Sequence, residues 1–155
     1  IYNKKLDTWT SGAHAGTFRG NQLAMKAGTV LLKKVSQPAF LKDVCKKGDL
    51  IRTRLNELKN KVSIIGDIRG QGLMVGTEFV DPKGQKDLQG SLPACGEIAA
   101  KVQKLCFENF LVVEKGGRNG SVMRCLCALN ISEEDVNKAM DIFEKCVLQV
   151  NQEYK

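Results

Sequence analysis

The spacing of apolar residues changes repeatedly along this chain, and the order of those changes constrains the fold more than any other feature. "NQLAMKAGTVLLKKV" places apolar residues at helical steps after a possible cap at Asn21, and a second segment does the same from Phe40 to Asn60, beyond Pro38. From Ile64, "SIIGDIRGQGLMVGTEFV" is β-branched, apolar and broken by glycines. That composition predicts two short strands joined by a tight turn.

The remainder of the chain repeats this alternation. We expect a helix over about 94–109, two strands around the glycine-rich turn in "FLVVEKGGRNGSVMRCLC", and a final helix capped by Ser132 with an acidic first turn. Runs of helices and strand pairs in this order predict an α/β fold of the α+β kind, with a small, mainly antiparallel sheet and helices on one face.

Composition excludes several classes of function. The formal charge is +7, but the lysines are interleaved with apolar residues, as in "LLKKV", which favours solvated helix faces over a nucleic-acid surface. No apolar run approaches the ~20 residues that a membrane span needs. The six cysteines form no C-x-x-C pair, so we expect no metal site and reduced thiols in a cytoplasmic protein. The opening "IYNKKLDTW" is typical of a short strand and turn inside a longer chain.

"GAHAGTFRGNQLAMKAG" is the first segment that could carry chemistry. Gly16 and Gly20 allow close backbone approach, Thr17 offers a hydroxyl, and a helix begins nearby with its positive end, so a phosphate could bind here. The competing interpretation is a tight loop with a structural role, which the residues alone favour. For His14, the only histidine, a structural hydrogen bond is favoured over a role as general base.

Two arginines are further candidates. Arg69 stands beside a Gly-x-Gly turn, where pairing with a local carboxylate is the favoured interpretation. Arg124 lies within the apolar strand "VMRCLC", where an unpaired guanidinium would be costly. Its partner is either an acidic side chain of the same domain or a substrate carboxylate held by two hydrogen bonds, and the residues alone leave both open.

Three segments together, "GAHAGTFRGNQLAMKAG", "IRGQGLMVGTEF" and "VMRCLCALNISEEDV", closely resemble the C-terminal part of class III (subgroup II) pyridoxal-phosphate-dependent aminotransferases. The first segment, with the preceding "LDTWTSGAHA", is most similar to diaminobutyrate–2-oxoglutarate aminotransferases. The resemblance covers essentially the whole chain and implies the C-terminal domain of a fold-type I transferase. It divides the chain into the end of the large cofactor domain (residues 1–20), a linking helix (21–36) and the small domain (37–155).

The resemblance implies specific roles. Thr17 would hold the phosphate of the pyridoxal phosphate bound by the neighbouring subunit, and Arg124 would bind a substrate carboxylate, in a homodimer or larger homo-oligomer acting on amino acids and 2-oxo acids. The family's cofactor-binding lysine lies upstream of the G-T-F motif, so this chain alone is expected to hold no catalytic residue and to be inactive. Cys127 and Ala128 stand where family members usually have prolines, which leaves the aim of Arg124 less fixed.

The implied reaction moves the terminal amino group of L-2,4-diaminobutyrate to 2-oxoglutarate, giving aspartate 4-semialdehyde and glutamate. The same residues leave room for a related enzyme of ornithine, acetylornithine or 4-aminobutyrate. A non-catalytic module that binds anions or mediates dimerisation is the alternative from a different class.

Overall fold

A computed structural model describes residues 3–155, and the internal contacts divide the chain into two units, Ile1–Phe40 and Leu41–Lys155. The prediction of a strand at the start of the chain is wrong where the structure describes it, since Lys4–Leu6 form a short 3-10 helix. The Asn3 side chain accepts a hydrogen bond from the Lys5 amide at 3.0 Å, a local bond that favours a turn over an extended strand. Ile1 and Tyr2 lie outside the described residues.

All four helices expected from periodicity are present. They are α1 (Gln22–Val35), α2 (Pro38–Lys59), α3 (Gly96–Glu108) and α4 (Glu133–Asn151). The predicted caps are confirmed, because Asn21 accepts from the Ala24 amide and Ser132 from the Asp135 amide, both at 3.0 Å. Helix α2 begins two residues earlier than expected because Pro38, which needs no amide partner, takes the first helical position.

The four predicted strands form one antiparallel sheet. They are β1 (Ile65–Gln71), β2 (Met74–Phe79), β3 (Glu114–Gly116) and β4 (Val122–Leu126). Their order is β1-β2-β4-β3, and every neighbouring pair is antiparallel. The predicted fold class is confirmed.

One face of the sheet packs into the core of the second unit. Along β2, Val75, Thr77 and Phe79 are buried, and α3 contacts β2, β3 and β4. The core is completed by apolar residues of the helices, including Leu55, Ile98, Val102, Met140 and Val147. Because side chains alternate along a strand, the residues between these positions lie on the opposite face of the sheet.

Gly48 of α2 has a role that periodicity does not reveal. A Cβ atom at this position would lie 2.2 Å from the carbonyl oxygen of Gly72, in the turn between β1 and β2. Only glycine permits this approach, so α2 packs directly on the backbone of the hairpin.

Candidate functional site

A row of four residues crosses the sheet on the face opposite the core. The register pairs Arg69 with Gly76, Gly76 with Arg124, and Arg124 with Glu114, so the row runs through all four strands. Gly76 contributes no side chain to this face, which separates the two arginines. At Gly76 the sheet therefore presents only backbone, between the guanidinium groups of Arg69 and Arg124.

Arg124 differs from the sequence-based expectation of an enclosed charge. Its side chain is 41% exposed, because Arg124 alternates with the buried Met123 and so points to the open face of the sheet. It forms an ion pair with Glu114 directly across from it, and the Glu114 side chain is 48% exposed. Of the two partners left open, an acidic side chain of the same domain is therefore present.

This ion pair leaves part of the guanidinium unused. Only Nη2 of Arg124 donates to Glu114, while Nε is buried and has no acceptor among residues 3–155. A guanidinium can present two parallel donors to one carboxylate, and a buried donor without an acceptor costs about 1–3 kcal/mol. The single bond to Glu114 therefore leaves donor capacity of the Arg124 guanidinium unused.

A cavity of about 280 Å³ adjoins the pair, and both Arg124 and Glu114 contribute to its lining. The rest of the wall is mainly apolar and comes from α2, α4 and the segments beside β3 and β4. Representative residues are Ile51, Leu111, Leu126, Ile131, Met140 and Phe143. These walls belong to the core side of the sheet, whereas the Arg124 and Glu114 side chains lie on the opposite face, so the cavity borders the strands that carry the pair.

Arg69 pairs with local carboxylates, as the sequence indicates. Its Nη1 lies 2.7 Å from Asp67 Oδ2 and 2.5 Å from Glu78 Oε2. The hydrogen bond from Arg69 is the main reason why the pKa of Asp67 is lowered from its usual value. With two carboxylates already bound, Arg69 has a structural role in holding β1 and β2 together.

The glycine-rich loop of the first unit shows what its glycines do. Gly20 has φ = +79°, a conformation that favours glycine, and a Cβ atom at Gly16 would lie 2.9 Å from Arg19 Nε. Arg19 folds back on His14, with Nη2 2.7 Å from the His14 Nε2, and Trp9 contacts the same ring edge-on at 5.0 Å. His14 thus has structural partners, as predicted, and Gly20 serves the conformation of the loop.

Thr17 begins the turn that leads into α1. Thr17 is exposed and is the first residue of a turn that spans residues 17–20. Helix α1 begins shortly after this turn, at Gln22. This arrangement combines a hydroxyl, turn amides and the positive end of a helix, which are the groups that bind phosphate in proteins. Thr17 belongs to the first unit and Arg124 to the second.

Glu114 is the residue that sequence reasoning missed at this site. It and Arg124 lie equally far from Asn119, in the turn between β3 and β4, so counting outward from the turn would have paired them. All six cysteines are free thiols, and within residues 3–155 no three His, Cys, Asp or Glu side chains are grouped to hold a metal ion. Over the same residues, no helix is both long and apolar enough to cross a membrane.

Comparison with known proteins identifies the family. The family model described as "Aminotransferase class-III" matches residues 2–147, nearly the entire chain. The chain belongs to the class-III aminotransferases. This confirms the resemblance carried by the three sequence segments, and members of this class depend on pyridoxal phosphate.

Similar proteins of the class include two diaminobutyrate–2-oxoglutarate aminotransferases. The one from Haemophilus influenzae is 40% identical over 94% of this chain and 32% of its own length. The one from Rhizobium meliloti is 42% identical over 89% of this chain and 29% of its own length. An acetylornithine aminotransferase of Bacillus cereus is 34% identical over 97% of this chain and 35% of its own length. The chain thus spans about a third of the length of these relatives.

Solved structures of transaminases share this fold. A transaminase from a marine Virgibacillus matches 97% of this chain and 34% of its own, with a TM-score of 0.75 at 19% identity. The acetylornithine aminotransferase of Elizabethkingia anophelis matches 91% of this chain and 32% of its own, with a TM-score of 0.67 at 24% identity. At these identities the likeness concerns the fold alone.

Proposed function

We propose that this chain is the C-terminal part of a pyridoxal-phosphate-dependent aminotransferase that moves the terminal amino group of L-2,4-diaminobutyrate to 2-oxoglutarate, giving aspartate 4-semialdehyde and glutamate. The observation that carries this proposal is the 40–42% identity to two diaminobutyrate–2-oxoglutarate aminotransferases over about nine tenths of the chain. Acetylornithine is the second candidate donor, because an acetylornithine aminotransferase is 34% identical over 97% of the chain.

Arg124 is proposed to bind a substrate carboxylate. Three features of its surroundings support this role: the half-exposed ion pair with Glu114, the use of Nη2 alone in that pair, and Gly76 beside it, which has no side chain. Exposed ion pairs contribute only about 0–1 kcal/mol, so an incoming carboxylate can replace Glu114 at small cost. The arginine would then orient the substrate, because two parallel hydrogen bonds fix both the position and the plane of the carboxylate.

Thr17 is proposed to hold the phosphate of pyridoxal phosphate bound by a neighbouring subunit. The exposed hydroxyl, the turn amides and the start of α1 fit a phosphate, and Arg19 adds a positive charge to the same loop. When bound, this cofactor supplies an electron sink for the carbon that exchanges its amino group. The contribution of this chain would be to anchor the cofactor across a subunit boundary.

A homodimer or larger homo-oligomer belongs to the same proposal. The first unit exposes large apolar side chains, among them Trp9, Phe18, Leu23, Val30 and Leu31. A second subunit would cover such a surface and bring its cofactor to Thr17. We retain the proposed division of the chain into residues 1–20, 21–36 and 37–155, as well as a cytoplasmic location.

The chain by itself is proposed to be inactive, because the lysine that binds the cofactor lies upstream of the G-T-F motif in the family. The test compares the 155-residue chain with the full-length protein, each supplied with pyridoxal phosphate, 2-oxoglutarate and either diaminobutyrate, ornithine, acetylornithine or 4-aminobutyrate. We expect glutamate from the full-length protein with diaminobutyrate and none from the chain alone. If the full-length protein turns over another of these amino donors faster than diaminobutyrate, the proposed substrate is wrong.

A further inference from the structure

Lys47 of α2 is a buried lysine whose ammonium group is fully used. The residue is 3% exposed, and its Nζ lies 2.6 Å from Asp43 Oδ2, 2.8 Å from the Ile131 carbonyl oxygen and 3.2 Å from that of Leu129. An ammonium group has three N–H donors, and each has an acceptor here. These three contacts satisfy the positive charge of Lys47 without a ligand.

Two of the three acceptors belong to the segment between β4 and α4, residues 127–132. This segment contains no helix or strand, and its own backbone supplies one turn bond, from the Ile131 amide to the Ala128 carbonyl at 3.0 Å. Lys47 binds it from a helix that lies more than 80 residues earlier in the chain. The lysine therefore fixes a connection that has few bonds of its own.

Residues 127–132, the segment that Lys47 holds, follow directly after β4, the strand that carries Arg124. Arg124 is the last residue of β4 that has a strand on both sides, because β3 pairs end there and Leu126 pairs only with Met74 of β2. Beyond Arg124 the strand is thus supported on one side. Cys127 and Ile131 of the held segment also line the cavity to which Arg124 contributes.

We propose that Lys47 is a positioning residue for Arg124. Its hydrogen bonds join residues 129 and 131 to α2 and so hold the end of β4 that only β2 supports. The Arg124 guanidinium is thereby kept in the orientation that binds a carboxylate. Because misplacement of a binding group by about 1 Å can lower activity about 100-fold, this indirect contact has a measurable consequence. The functional part of the inference rests on the proposed role of Arg124 in substrate binding.

Lys46 provides a matched control. It is adjacent in the same helix and has the same charge, but its side chain is 69% exposed and pairs at 2.6 Å with the Glu133 side chain in α4. Lys46→Met therefore removes one positive charge and one ion pair without freeing the carbonyl groups of the segment. Lys47→Met removes the same charge and frees both carbonyl groups.

The first measurement is amide hydrogen exchange, followed by mass spectrometry of the full-length protein with cofactor bound. In Lys47→Met we expect peptides covering residues 124–132 to exchange at least about tenfold faster than in the unmodified protein, since local opening becomes easier. In Lys46→Met we expect the rate of the same peptides to stay unchanged. Equal exchange rates in the two variants would overturn the proposal.

The second measurement is steady-state kinetics of the same proteins, with Arg124→Ala as reference. We expect Lys47→Met to raise KM for the amino acid and the 2-oxo acid about 5- to 20-fold while kcat changes less than about threefold, because aim rather than chemistry is affected. Faster exchange with unchanged KM would overturn the positioning role alone, provided that Arg124→Ala raises KM. Unchanged kinetics in Arg124→Ala would refute the carboxylate role of Arg124 itself.

A milder variant covers the case in which Lys47→Met does not fold. Asp43→Asn removes the carboxylate that orients the ammonium, and so weakens both carbonyl contacts without deleting the group that makes them. We expect a smaller increase, about two- to fivefold, in the exchange rate of residues 124–132. Exchange at the unmodified rate in a folded Asp43→Asn protein would overturn the proposal.

Discussion

Helices α1 and α4 both have an amphipathic sequence, yet the structure treats them differently. In α4 the apolar stripe of Val136, Met140, Phe143 and Val147 is buried, whereas no residue of α1 is buried and Leu23 is 83% exposed. Isolated helices of this length are marginal in water, so the stability of α1 is not explained by contacts within the first unit. The pattern of apolar residues predicts a helix, but it does not say which surface the helix covers.

The polar contacts of the two units differ in the same way. In the first unit, side-chain hydrogen bonds such as those from Arg19 to His14 and from the Ala24 amide to Asn21 link residues close together in the chain. In the second unit, Arg54 of α2 reaches α4 and binds Glu144 at 2.7 Å and Asp141 at 2.6 Å, and the first of these bonds is the main cause of its raised pKa. Long-range contacts of this kind make unfolding cooperative, so the second unit should unfold as one body.

The largest expected effect is a difference between the two units in how much a Leu→Ala substitution lowers the free energy of unfolding. Leu55→Ala removes a side chain with no exposure from the core and should lower the free energy of unfolding of the chain by about 2–5 kcal/mol. Leu31→Ala in α1, where the side chain is exposed, should cost less than about 0.5 kcal/mol. Urea unfolding followed by circular dichroism measures both values.

In the full-length protein, Leu31→Ala also tests whether α1 belongs to the interface between subunits. If a second subunit covers α1, Leu31→Ala should there weaken the dimer, which sedimentation at several concentrations would detect. A dimer of unchanged affinity would argue against α1 as part of the subunit interface.

The second prediction compares the two proposed binding residues. Arg124→Ala should raise KM for both substrates about 10- to 100-fold, corresponding to the loss of about 1.5–3 kcal/mol for hydrogen bonds to a charged group. Thr17→Ala should leave KM nearly unchanged and loosen the cofactor by about 1 kcal/mol. Kinetics at saturating cofactor and equilibrium dialysis of pyridoxal phosphate separate the two effects. Retention of cofactor in Thr17→Ala at the unmodified affinity would contradict its phosphate contact.

Glu114→Gln should act in the opposite direction to Arg124→Ala. The amide removes the charge that occupies Arg124, so a substrate carboxylate no longer competes with an ion pair worth about 0–1 kcal/mol. We expect KM for the 2-oxo acid to fall up to about fivefold. The control is Glu108→Gln, which removes a carboxylate from the end of α3 that pairs with Lys104 rather than with Arg124. A higher KM in Glu114→Gln would assign Glu114 a supporting role instead of a competing one.

The smallest effect concerns pH and the ion pair between Asp67 and Arg69, both of which lie in β1. Because the folded-state pKa of Asp67 is lowered by Arg69, its contribution to stability is complete above the unfolded pKa of about 3.9 and is lost as the pH falls through the folded value. Asp67→Asn should therefore destabilise the chain by at most about 1 kcal/mol at pH 7 and by nothing at about pH 2. Urea unfolding at both pH values tests the sign, and an equal loss at the two values would contradict it.

Much of the architecture was predictable because its signals are local. The helix caps at Asn21 and Ser132 and the change from helical to strand periodicity at Ile64 depend on residues close together in the chain. A local bond also explains why Lys4–Leu6 form a 3-10 helix instead of part of a strand, since the Asn3 side chain accepts from the nearby Lys5 amide and favours a turn. The exposure of Arg124 was not predictable from its apolar neighbours, because it depends on which face of β4 meets the helices.

The sequence by itself determined the elements, their order and the family, since each is written in spacing and motifs within short segments. Only the tertiary structure decided that Glu114 lies opposite Arg124, that Gly48 meets the hairpin backbone, and that Lys47 holds the segment after β4. These contacts arise from strand register and from the approach of distant segments. Both are set by packing the whole second unit around one core, which no short stretch of sequence specifies.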